Sequence, residues 1–151
     1  MKISELLNPR AIVADLQAKD KVKALVELTD SLLSCEPSLN REDVLAVLQE
    51  REKLGSTGIG DGVAIPHGKL PGIPELKLVF GRSQGGVDFE SMDGQPAHLF
   101  FLLIAPEESV GVHLKTLARI SKLLKDSIVR KKLMDAVDHQ EIYQIILDEE
   151  A

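Results

Sequence analysis

Residues 51–70, REKLGSTGIGDGVAIPHGKL, decide how this chain is read. Gly55, Gly58, Gly60, Gly62 and Gly68 crowd the stretch, and the apolar run Val63-Ala64-Ile65 leads into Pro66-His67-Gly68. Glycine permits positive φ and lets other groups approach closely. Pro66 fixes its own φ and drives Ile65 toward an extended conformation. The pattern predicts a short strand that stops at Pro66 and presents the His67 imidazole between two conformational fixtures. Just upstream, Asn40 is a predicted N-cap with Glu42 and Asp43 in the first turn, where the helix dipole favours acids. That helix runs to about Leu54 and turns Val44, Val47 and Leu48 inward. The next step of its stripe lands on Arg51. A helix-end arginine is explained by the dipole and by a snorkelling stem, but closeness to the glycine-rich turn makes Arg51 a candidate anion ligand.

Working outward, residues 2–7 suit a single helical turn closed by Asn8-Pro9, and Ala11 to Leu16 reads as a strand. Val22, Leu25, Val26, Leu32 and Leu33 carry a helical period from Asp20, which serves as cap, to Glu36-Pro37. Beyond His67, Pro71-Gly72-Ile73-Pro74 is a loop and Leu76 to Ser83 a strand that Gly85-Gly86 breaks. Val87 and Phe89 alternate with acids as in a half-exposed strand, and Asp93-Gly94 signals a hairpin-type turn. The run His98 to Ile104 is continuously apolar, the mark of a strand covered on both faces. From Ser109 the helical period returns through Leu114, Leu117, Ile120 and Leu124, with His113 in the first turn. A further helix starts at Asp126 or Ser127, and Asp138 with Glu141 opens the last, its Ile142, Ile145 and Ile146 inward. The expected fold is α/β (α+β): a mixed β-sheet flanked by helices on both faces, in one domain spanning residues 1–151.

Composition narrows the function. The net charge is −6, there is no Trp, and one Tyr and four Phe are the only other aromatics. That argues against a nucleic-acid partner, which wants a basic face and stacking platforms. Cys35 is the single cysteine, so neither a disulfide framework nor a Cys-based metal cage is available. MKISELLNPR holds no signal-peptide core, and the run Leu99 to Ala105 is too short to span a bilayer. A cytoplasmic chain without membrane insertion is expected.

Familiar catalytic motifs fail on spacing. Asp61 stands where a phosphate loop beginning at Gly55 needs lysine, and Leu70 follows Lys69 where that loop needs Ser or Thr. No G-x-S-x-G elbow occurs. His67, His98, His113 and His139 lack metal-ligand spacing; His98 reads as a strand histidine and His139 as a solvated one, so no metal is expected. What stays open is histidine as nucleophile. A neutral imidazole has a lone pair for phosphorus and a second nitrogen to be fixed by a hydrogen bond. The product carries about −2 charge and wants a forked arginine and further donors around it. Arg51 and His113 are the candidates. His113 also fits a satisfied core histidine, although its place in a first helical turn favours anions nearby. Residue patterns alone reach a phosphate-handling histidine and no further.

Arg51-Glu52-Lys53-Leu54-Gly55-Ser56-Thr57-Gly58-Ile59-Gly60 and Gly62-Val63-Ala64-Ile65-Pro66-His67 closely resemble the enzyme IIA domains of the bacterial phosphoenolpyruvate-dependent phosphotransferase system, fructose/mannitol type. Val112-His113-Leu114 with Leu117, and the ending Glu141 to Ile146, are similar to that family too, so the resemblance spans essentially the whole chain. It implies that His67 accepts a phosphoryl group on Nε2 from the phosphocarrier protein HPr or a paralogue, assisted by Arg51 and His113, without a cofactor. Ser56 and Thr57 are expected to orient His67 or cap the phosphoryl oxygens. Gly-Ser-Thr-Gly-Ile-Gly and Ile-Pro-His-Gly-Lys-Leu look most like the nitrogen-regulatory branch, whose members act by phosphorylation-dependent binding to target proteins. Two alternatives stand beside it: a sugar-transport IIA that passes its phosphoryl group to a IIB domain, and a IIA-fold binding module that has lost phosphotransfer.

Overall fold

The computed structural model describes residues 2–150. In chain order the elements are α1 (Ile3–Leu6), β1 (Leu7–Val13), α2 (Lys21–Cys35), α3 (Arg41–Lys53), β2 (Gly58–Gly60), β3 (Val63–Ala64), β4 (His67–Leu70), β5 (Lys77–Val87), β6 (Ala97–Pro106), α4 (Val110–Lys125), α5 (Ser127–Asp135) and α6 (His139–Glu149). Helix starts are set by the side chains the sequence marks. Asp20 accepts from the Lys23 amide (2.9 Å), Asn40 from Asp43 (3.0 Å) and Asp138 from Glu141 (2.9 Å). Each such cap contributes about 1 kcal/mol.

The strands form one mixed open sheet in the order β1-β5-β6-β3-β2, with β4 also on β6. β6 is its axis. It pairs antiparallel with β5 along one side, and parallel with β3 and then β4 along the other. Phe100 to Ala105 are completely buried, as the unbroken apolar run requires. The sheet is covered on both faces, and two adjacent residues of β5 show it. A Cβ placed on Gly81 would lie 2.6 Å from Leu28 of α2. Arg82, pointing oppositely, donates to the Leu133 (3.0 Å) and Ala136 carbonyls at the end of α5. That buried guanidinium caps a helix C-terminus, where the dipole favours a cation.

Several boundaries differ from the sequence reading. The first strand runs from Leu7 to Val13 rather than Ala11 to Leu16, so it contains Pro9; β1 is a sheet edge, where a missing N–H is tolerated. Gly85-Gly86 does not end β5: Gly86 takes φ +90° and the strand continues through a register shift to Val87. Val87 and Phe89 are buried while Asp88 and Glu90 are exposed, the alternation the sequence predicts, although β5 itself ends at Val87. Leu114 is 61% exposed, outside the buried stripe of α4. Most consequential is Pro66. The short strand β3 does end before it, at Ala64, but the backbone then resumes along β6, with the Pro66 carbonyl accepting from Leu103 N (2.9 Å) and His67 opening β4 opposite Leu103.

Candidate active site

His67 is the first residue of β4, and the strand's seat against α3 depends on the next position. A Cβ on Gly68 would fall 2.9 Å from Cγ2 of Val47 and 3.3 Å from that residue's backbone carbon. Only glycine lets β4 approach α3 this closely, and the approach brings the helix's last turn beside the imidazole. Arg51, His67, Lys69 and His113 line one cavity of about 550 Å³, whose remaining wall includes Val47 and Leu54. A larger cavity, about 610 Å³, opens beside Ile3, Arg119 and Lys122 and has no histidine in its lining.

The imidazole is fixed in one tautomer. Nδ1 of His67 lies 2.7 Å from the Ile65 carbonyl oxygen, which can only accept, so Nδ1 carries the proton and Nε2 of the neutral ring holds the lone pair. Burial pushes the His67 pKa below its ordinary 6.5. The Ile65 carbonyl opposes that shift, Arg51 reinforces it, and Glu52 opposes it. The ring is therefore neutral and nucleophilic at pH 7.

His113, in the first turn of α4, places its ring centroid 5.5 Å from that of His67 in an edge-on arrangement at 77°. It is 6% exposed, and its Nε2 is buried with no hydrogen-bond partner. Burial, then the neighbouring His67 and Lys69, push its pKa down. A buried polar atom left unpaired costs about 1–3 kcal/mol, and an oxygen-rich group bound in the cavity would relieve it. The Arg51 side chain makes one hydrogen bond among the described residues, from Nη1 to the Gly55 carbonyl (2.9 Å). This pins the guanidinium at the helix end and leaves most of its fork for an anion.

The two hydroxyls expected to orient His67 point elsewhere. Ser56 Oγ donates to the Phe89 carbonyl (3.0 Å) and accepts from Gly58 N (3.0 Å). Thr57 Oγ1 donates to the Glu52 carboxylate in a very short hydrogen bond. They tie down the loop before β2 rather than reaching the imidazole. Sequence patterning did not single out Glu52, although it follows Val44 and Leu48 at four-residue steps on the inward stripe of α3. His98 is a strand histidine bonded to the Ser83 carbonyl (2.8 Å), and His139 is exposed. Among the described residues, no group of three His, Cys, Asp or Glu side chains could hold a metal, and no helix is long and apolar enough to cross a membrane.

The family described as "Phosphoenolpyruvate-dependent sugar phosphotransferase system, EIIA 2" matches residues 5–149. The chain belongs to this family. As an EIIA 2 protein it is 47% identical over 146 residues to the "Nitrogen regulatory protein" of Bradyrhizobium diazoefficiens, covering 97% of this chain and 95% of that one. It is 40% identical over 146 residues to the "PTS system fructose-specific EIIABC component" of Bacillus subtilis, covering 97% of this chain but 23% of that longer protein. Among solved structures, Nitrogen Regulatory Protein IIA-Ntr from Neisseria meningitidis superposes with a TM-score of 0.88 at 37% identity, over 95% of this chain and 98% of that one. The mixed sheet flanked by helices is thus the EIIA fold.

Proposed function

We propose that this EIIA accepts a phosphoryl group on Nε2 of His67 from an HPr-type phosphocarrier and acts in regulation, binding target proteins according to its phosphorylation state. One observation carries the reading: a histidine locked with its lone pair on Nε2 shares a cavity with a forked cation and a second, unpaired imidazole nitrogen. The Nε2 lone pair attacks phosphorus, an N–P bond forms, and the bond from phosphorus to the carrier breaks with its electron pair leaving on the carrier. Arg51 and His113 receive the phosphoryl oxygens as charge accumulates. The site's imidazole becomes a group of about −2 charge, which changes the partners it attracts. Similarity over nearly the full length of a nitrogen regulatory protein supports the regulatory branch.

Incubation with phosphoenolpyruvate, enzyme I and HPr, followed by intact mass measurement, tests the acceptor role. One acid-labile phosphoryl group is expected on the wild type and none on His67→Ala. No addition with active donors would leave a binding module. Discharge of the phosphorylated protein by a IIB domain would assign it to sugar transport instead.

A further inference from the structure

Glu52 is an awkward residue to bury. It sits on the last turn of α3, where the helix dipole disfavours an acid, yet its side chain is only 6% exposed. Three donors satisfy it: Lys21 Nζ at 3.0 Å, the Thr57 amide at 3.1 Å, and the Thr57 hydroxyl. Lys21, at the start of α2, has a side chain 12% exposed and stands 5.1 Å over the ring of Phe89, whose carbonyl is the acceptor for Ser56. Three segments distant in sequence therefore close on the loop that follows Arg51. From Thr57 the connection to the imidazole is continuous: the Thr57 carbonyl accepts from Ile65 N (3.0 Å), and the Ile65 carbonyl accepts from His67 Nδ1 (2.7 Å).

We infer that Glu52, clamped between Lys21 and Thr57, is a positioning residue for transfer, holding Ile65 in register so that its carbonyl fixes the His67 tautomer, and holding the end of α3 that carries Arg51. A buried ion pair is weak as a source of net stability but strong as a geometric constraint, because both charges lose much if either moves. Arg51 and Glu52 are adjacent in the same turn, so one displacement misplaces both the fork and the nucleophile. A shift of about 1 Å in such a constellation can cost roughly 10²-fold in rate.

Resting as it does on the acceptor reading of His67, this role is tested with one arm that needs no transfer. Nitrogen-15 NMR of the imidazoles reports the His67 tautomer and titration directly; the charged and titratable neighbours are Arg51, Glu52, Lys69 and His113. In Glu52→Gln, which keeps the shape and removes the charge, the His67 resonances should show mixed tautomers and a lower pKa, and transfer from phosphorylated HPr should slow by about tenfold or more. Thr57→Val should show the tautomer mixture in weaker form. The double variant Lys21→Met, Glu52→Gln removes both charges together, so melting temperature should return toward wild type while transfer stays slow. A wild-type tautomer and titration in Glu52→Gln, or a double variant that regains rate along with stability, overturns the inference. If the wild type accepts no phosphoryl group, the acceptor reading fails and the NMR arm still decides the positioning.

Discussion

His67 and His98 are held alike and do different things. Each is half-buried, and each fixes its Nδ1 on a backbone carbonyl, Ile65 at 2.7 Å in one case and Ser83 at 2.8 Å in the other. Both rings therefore keep the lone pair on Nε2 when neutral. Around His67 are Arg51, Lys69 and the unpaired nitrogen of His113. Around His98 are glycines: a Cβ on Gly86 would sit 3.3 Å from its Nε2, and one on Gly62 would sit 3.5 Å from its Cδ2. A locked tautomer supplies a nucleophile, but only convergent cations give the incoming phosphoryl oxygens somewhere to go.

The comparison breaks most sharply at the nucleophile itself. His67→Gln should abolish phosphorylation outright, read as the absence of any added mass, with far-UV circular dichroism unchanged. Arg51→Lys keeps the positive charge and loses the planar fork. Its expected cost in transfer rate is about 10²-fold, the scale for removing one preorganised donor from a developing charge. Single-turnover transfer from phosphorylated HPr measures it, and a rate within twofold of wild type would mean that charge alone serves the site.

Acidification sharpens the same contrast. His67 and His113 both have pKa values below the ordinary 6.5, chiefly through burial. As pH falls through 6.5, the unfolded chain takes up protons before the folded one, so stability falls with it. The contribution is complete above 6.5 and is lost toward the lowered folded values. Urea unfolding at pH 7.5 and 5.5 should show this loss in the wild type and a smaller loss when both residues are replaced by glutamine. The transfer rate should be flat above pH 6.5 and decline only below it, as the lone pair on Nε2 is consumed.

Much of the site was legible because its determinants are local. The stripe of Val44, Val47 and Leu48 carries Arg51 to the cavity by helical period alone, and Asp20, Asn40 and Asp138 cap the helices they precede in sequence. What was not legible depends on distant partners. His67-Gly68-Lys69-Leu70 is short, holds a glycine and has no β-branched residue; it becomes a strand because β6 offers an open parallel edge at Leu103 to Pro106. Ser56 is drawn to Phe89, 33 positions away, and Thr57 to Glu52, which the stripe of Val44 and Leu48 carries inward but whose ion-pair partner Lys21 comes from another helix. Leu114 stands three residues before Leu117, yet the face that α4 buries is that of His113, Thr116, Ile120 and Leu124, and Leu114 lies off it.

The smallest effect tests the other histidine. β5 loses its regular pairing with β6 between Arg82 and Val87, where Gly86 turns to φ +90° and its amide bonds to Ser83 Oγ at 3.0 Å. Ser83 is fully buried in that irregular segment, and His98 Nδ1 reaches across from β6 to its carbonyl. The imidazole replaces a ladder bond that the bulge has removed. His98→Leu keeps an apolar body of similar size and withdraws the donor, leaving a buried carbonyl unpaired at a cost of about 1–3 kcal/mol. Thermal melting should drop by several degrees, while phosphorylation of His67 stays at the wild-type rate. A large loss of transfer in His98→Leu would show that the bulge and the β3–β4 path along β6 move together, and that the two histidines are less separate than their surroundings imply.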